Sequence, residues 1–249
     1  MTTRLINRTK EEKMNYQTTS QSNGIRLDHK EIRDVQGFEQ VSLRVQNIQN
    51  DLVIQQGERE SLVIEANPDL LTRVKTVVID GKLNIWIDGS WSDLIKEALS
   101  TSLTRQRIQY TLMVRRLSAL DVAGFAYIQV ASLETDRLAL GFAGPGTARF
   151  TRLHARLLEV DLAGPGKIEL AGEVEEQRLS IRAIGFYYAP QLASKKAFVR
   201  LSGPGQAQIW VKDSLDATIS GPGRLEYYGA PRIRQKTMPF GGLVSLGNP

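Results

Sequence analysis

The sequence predicts an all-β protein: a right-handed parallel β-helix of about six coils of 18–21 residues, with a β-rich N-terminal part and one inserted amphipathic helix. Two observations carry this. The first is a recurring corner, at Gly144-Pro145-Gly146, Gly164-Pro165-Gly166, Gly203-Pro204-Gly205 and Gly221-Pro222-Gly223. Degenerate copies stand at Val122-Ala123-Gly124-Phe125 and Ala183-Ile184-Gly185-Phe186, and steps counted on glycines 124, 144, 164, 185, 203 and 221 are 20, 20, 21, 18 and 18 residues. A period near 20 marks a solenoid, whose units are too short to bury their own apolar faces and must stack.

The second is alternation. With the first glycine as zero, positions −6, −4 and −2 carry Leu138, Leu140, Phe142, then Leu158, Val160, Leu162, then Leu179, Ile181, Ala183, and finally Leu215, Ala217, Ile219. Positions +4 and +6 carry Ala148 and Phe150, Ile168 and Leu170, Ala207 and Ile209, Leu225 and Tyr227. An apolar residue at every second position is a strand with one buried face; the spacings of three and four that a helix needs are missing. Each coil therefore reads as strand, Gly-Pro-Gly corner, strand, then a looser polar corner such as Glu134-Thr135-Asp136-Arg137. Pro before Gly fits a type II turn, so Gly146, Gly166, Gly205 and Gly223 are expected at positive φ.

In chain order, residues 1–34 are polar and charged and are expected to form a disordered tail, leaving residues 35–249 as a single β-solenoid domain. No stretch has signal-peptide character or the roughly 18 apolar residues of a membrane span, so no integral membrane segment is expected. The chain is expected either to stay in the cytoplasm or to take its export signal from elsewhere. Residues 35–89 alternate as strands, with Asp80-Gly81 as a hairpin signal, and are expected to cap the first coil. In residues 90–107, Trp91, Leu94, Ile95, Ala98, Leu99 and Leu103 fall on one helical face, read as a helix covering a sheet edge, or one binding a partner or a membrane surface. The coils occupy 108–231. Residues 232–249 leave the period and are expected to cap it.

A formal net charge of +5, spread over 32 Lys+Arg and 27 Asp+Glu, implies a solvated surface, and without a basic stripe interleaved with aromatics no nucleic-acid partner is expected. Zero cysteines exclude disulfides and thiolate chemistry. For catalysis, Asp121 and Asp161 share the −3 column with Gly141 between them, roughly 10 Å apart at the spacing of parallel strands, too far to share an ion. Asp161 is expected to pair with Arg182 across coils. His154 sits in a polar corner without a nucleophile or carboxylate at motif spacing, so no catalytic residue, metal or cofactor is assigned.

One surface feature reads as a binding site. At +7, Leu192, Trp210 and Tyr228 are expected to form an outward apolar-aromatic ladder on the last three coils. Such a strip suits a glycan ring or a hydrophobic strip of a protein ligand. The competing expectation is that Met238-Pro239-Phe240 folds back to cover it.

The opening Gly37-Phe38-Glu39-Gln40-Val41, the block ending Gly81-Lys82-Leu83-Asn84-Ile85, the Gly-Pro-Gly coils and the closing Ile219 to Pro231 together resemble the auto-transporter adhesin head (GIN) domain family. The resemblance implies a β-helical, usually exported bacterial domain with no catalytic residues to carry over. A non-enzymatic, adhesin-like binding module of the bacterial envelope is the reading this favours. The alternatives are a cytoplasmic polymerising scaffold resembling the bactofilins, for which a second copy of the chain is the partner, and a carbohydrate-active β-helix enzyme.

Overall fold

A computed structural model describes residues 29–45, 48–88 and 107–248. The helix expected over 90–107 lies outside the described residues, except that Arg107 opens a strand.

The repeats form two long parallel columns of strands. One column stacks β2 (Gln40–Arg44), β8 (Ala119–Ala123) and the C-terminal halves of β10 (Leu133–Phe142), β11 (Gly146–Leu162), β12 (Lys167–Ile181), β13 (Phe186–Leu201) and β14 (Gln206–Ile219), ending on β16 (Arg232–Thr237). The other stacks β3 (Gln49–Gln56), β9 (Ala126–Val130), the N-terminal halves of β11 to β14, β15 (Arg224–Tyr228) and β17 (Gly242–Ser245). The register is rung for rung: Leu43, Val122, Phe142, Leu162, Ile181, Leu201 and Ile219 lie one above another, all buried. Period-2 patterning places these side chains inside because a strand turns alternate residues to opposite faces.

At the corners the structure corrects the turn reading. Gly146 has φ 130°, but Gly166, Gly205 and Gly223 do not take positive φ. Their glycine requirement is steric: a Cβ on Gly166 would stand 2.6 Å from the Phe142 ring and 2.9 Å from the Gly144 carbonyl oxygen. Stacked corners bring backbone onto backbone, and the ladder runs through them, as in the bond from Phe186 N to Gly166 O at 3.0 Å.

The coils begin earlier than residue 108. The strand β6 (Lys82–Ile87) pairs parallel with β2, and β7 (Arg107–Val114) pairs parallel with β3, so the first half contributes coils of its own. Beyond them lies an antiparallel cap. The strand β5 (Val74–Ile79) forms the expected hairpin with β6 through Asp80 at φ 50° and Gly81 at φ 73°. The strand β4 (Ser61–Ala66) runs antiparallel to β7, and β1 (His29–Arg33) runs antiparallel to β4. That last strand falls inside the stretch expected to be tail. Its residues are too polar to show an apolar face, and backbone pairing on the β4 edge holds it, with Arg33 reaching Thr76 Oγ1 at 3.1 Å. A short helix, α1 (Pro68–Arg73), closes this end, capped by Asn67, whose side chain accepts from Leu70 N, and buries Leu70 and Leu71.

Two polar chains sit inside the solenoid. Tyr187 Oη donates to Gln177 Oε1 (3.1 Å), Gln177 Nε2 to Ser194 Oγ (2.7 Å), and Ser194 Oγ to Trp210 O (2.8 Å). Near the cap, Tyr110 Oη donates to Asn50 Oδ1 (3.2 Å), and Asn50 Nδ2 donates to Ile48 O (2.6 Å). Burial pushes both phenols well above their ordinary pKa.

Candidate binding surface

Of the three ladder residues, Trp210 and Tyr228 are half-buried and paired in register between β14 and β15. Leu192 is not with them; it is fully buried. Two causes combine. Tyr187 pairs with Ala207, which sets Ala183, not Gly185, in the first-glycine position and shifts the count by two. The loose corner also spends two outward residues in a row, Thr151-Arg152 in one coil and Pro190-Gln191 in its equivalent, which returns the next residue to the interior. Leu192 therefore joins an inner column with Leu153 and Gly172.

The ladder continues the other way. Residues 232–248 do not leave the period: Thr237 pairs with Ile219, which puts Pro239 in the first-glycine position 18 residues after Gly221. Position +7 is then Leu246, whose N–H donates to Tyr227 O at 2.9 Å. Met238 and Phe240 do not fold back over the strip; they stand at the next Gly-Pro-Gly-like corner, 52% and 85% exposed. The outer column is thus Trp210, Tyr228, Leu246.

Beside it, the same face of β12 to β15 carries two further columns: Lys167, Phe186, Gln206, Arg224, and Glu169, Tyr188, Gln208, Glu226. Phe186 and Tyr188 are exposed. These columns frame a shallow groove of about 220 Å³. Lys167 Nζ lies 5.6 Å from the Tyr188 ring centre and Lys212 Nζ lies 5.5 Å from that of Trp210, so each ring has a cation against one face. Lys167 and Arg149 both bond the Glu169 carboxylate, holding its pKa below the usual range. Gln208 Oε1 is buried without a hydrogen-bond partner among the described residues, while its Nε2 donates to Glu226 at 3.2 Å.

Elsewhere the outward columns carry ion pairs one coil apart: Arg137–Glu159, Arg149–Glu169, Arg156–Asp136 and Lys195–Glu175. The expected Asp161–Arg182 pair forms, at 2.5 Å. Asp121, Gly141 and Asp161 share one column as read, and Asp121 is held by Lys82 at 2.7 Å. His154 is exposed, in register with Glu134 and Glu173. Among the described residues no group of three or more His, Asp or Glu side chains could hold a metal ion. No described helix is long and apolar enough to cross a membrane.

The fold and this surface define a β-solenoid that presents stacked side-chain columns in place of an enclosed cleft. The chain belongs to the family described as "Putative auto-transporter adhesin, head GIN domain", whose model matches residues 38–231. The fold is shared by solved structures, among them these three. A "putative adhesin" from Bacteroides fragilis has a TM-score of 0.74 at 19% identity, over 88% of this chain and 96% of that one. A "putative lipid binding protein" from Parabacteroides distasonis has a TM-score of 0.63 at 16% identity, over 88% of this chain and 96% of that one. A "putative adhesin" from Parabacteroides merdae has a TM-score of 0.60 at 19% identity, over 88% and 95%. No curated protein matches the chain.

Proposed function

We propose that the protein is a non-catalytic, adhesin-like binding module of the bacterial cell envelope. Its contact surface is the strip Trp210–Tyr228–Leu246 with the adjoining Phe186 and Tyr188. The observation that carries this is that the strip is left uncovered by the C-terminal segment, which continues the solenoid instead of folding back. Aromatic rings in a row, with Gln206, Gln208, Arg224 and Glu226 beside them, suit a glycan: the rings stack on the apolar face of a sugar and the amides and charges meet its hydroxyls. The family's description as an adhesin head supports the adhesin-like reading.

Two measurements test it. In a variant retaining Trp210 alone, with Trp86 and Trp91 replaced by Phe, iodide is expected to quench Trp210 emission. On an immobilised glycan panel, binding by the parent is expected to be lost in Trp210→Ala and Tyr228→Ala. Blue-shifted, unquenched emission, or binding that survives both substitutions, rules the strip out.

A further inference from the structure

Across the Gly-Pro-Gly corner from that strip, the C-terminal halves of β10 to β14 carry a longer groove of about 720 Å³, whose walls include Asp121, Glu159, Asp161, Phe198, Arg200 and Asp216. Its acidic groups are already matched. Asp121 is held by Lys82 at 2.7 Å, Glu159 by Arg137 at 2.5 Å, Asp161 by Arg182 at 2.5 Å, and Asp216 faces Arg234 at 3.9 Å. Arg178 is occupied by Glu176 at 2.6 Å and stacks 5.8 Å from the Phe198 ring centre.

Arg200 is the exception in the groove. It is exposed, and its side chain has no ion pair or hydrogen bond among the described residues. The register places it between Ser180 and Thr218, one coil to either side, so a free guanidinium stands in line with two half-exposed hydroxyls. In the neighbouring column Phe198 is 42% exposed.

We propose that this groove is a second binding site, which takes an acidic sugar chain and reads one of its carboxylates through Arg200. A guanidinium binds a carboxylate through two parallel N–H bonds, stronger than neutral hydrogen bonds. Ser180 and Thr218 supply hydroxyls to neighbouring sugar oxygens, and Phe198 supplies a ring edge. Coils repeat at about 4.8 Å along the groove, a spacing comparable to one pyranose unit. An acidic peptide fits less well. The groove floor is interior sheet, with β12, β13 and the C-terminal half of β14 paired on both sides, so an extended peptide finds no free strand edge to join.

Titration calorimetry on the full chain at low salt, with hexagalacturonate as the probe, tests this. Hexagalacturonate is expected to bind, and its fully methyl-esterified form is expected to bind about tenfold more weakly or worse, as is hexagalacturonate to Arg200→Ala. Arg200→Lys is expected to retain part of the affinity, and Lys195→Ala, an exposed cation paired with Glu175 outside the groove, all of it. Four results overturn the proposal: no binding of hexagalacturonate, equal binding of the ester, Arg200→Ala binding like the parent, or tighter binding of a polyglutamate peptide that also depends on Arg200.

Discussion

The ring of Phe142 lies against the corner glycine of the next coil, 2.6 Å from where a Cβ on Gly166 would stand. Gly166→Val must therefore displace either a buried aromatic or the Gly144 backbone beneath it. A loss of about 1–3 kcal/mol or more is expected, typical of overpacking. Gly242→Ala, whose nearest contact is the Arg224 side chain at 3.8 Å, is the control and is expected to cost little. Urea unfolding of the two variants makes the comparison.

The inside and outside of a coil are separated by one residue. Leu162 is fully buried, whereas Asp161 is exposed and paired with Arg182. Leu162→Asp is expected to cost several kcal/mol by burying a carboxylate, and Asp161→Leu no more than about 1 kcal/mol, the usual worth of a surface pair. Thermal melts that fall by the same amount would contradict the register.

Gln177 is the middle link of a buried chain, and its removal orphans the Tyr187 hydroxyl. Gln177→Leu is expected to lose about 1–3 kcal/mol, and adding Tyr187→Phe is expected to recover part of it, because an unsatisfied buried donor costs more than an absent one. A double-mutant cycle on unfolding free energy measures the recovery.

Glu169 sets an acid dependence. Its folded pKa is lowered, first by the bond from Lys167 and then by that from Arg149. A depressed carboxylate stabilises the fold above its unfolded pKa and loses that contribution as pH falls through the folded one. The melting temperature is therefore expected to fall as pH drops below the ordinary glutamate value of about 4.3, and Glu169→Gln is expected to flatten that limb. A melting series from neutral to acid pH, run on both proteins, checks the sign.

Much of the architecture was legible because stacking imposes equal residue counts: Leu140, Val160 and their equivalents recur wherever one coil must lie on the next. Where the count changes, legibility fails. Ala183 stands where other coils have a glycine, so a count on glycines locks onto Gly185, two residues late, and Leu192 falls at an outward offset although its corner spends Pro190 and Gln191 outward before turning in. Extending the period 18 residues past Gly221 would have found Pro239 and Leu246. The crossing of the first-half strands left no local mark, since parallel partners far apart in sequence share only an alternation that any strand has. The cap strand β1 was hidden because backbone pairing on an edge needs no apolar face. Asn67-Pro68-Asp69 before Leu70-Leu71 was the available signal for α1.

The order in which β2 and β3 are sandwiched has a consequence for how the protein is made. Each lies between two strands that both follow it in sequence, one on its cap side and one on its repeat side: β6 and β8 flank β2, while β7 and β9 flank β3. Leu43 and Val122 meet across about 80 residues, whereas each later coil finds its neighbour across about 20, so early contacts are slow and late ones quick. On a ribosome, β2 and β3 emerge before all of these partners, and each keeps an open edge until β8 and β9 arrive. Once they do, every later coil has a finished template to zip onto, and synthesis and folding can proceed in step from there to the C-terminus.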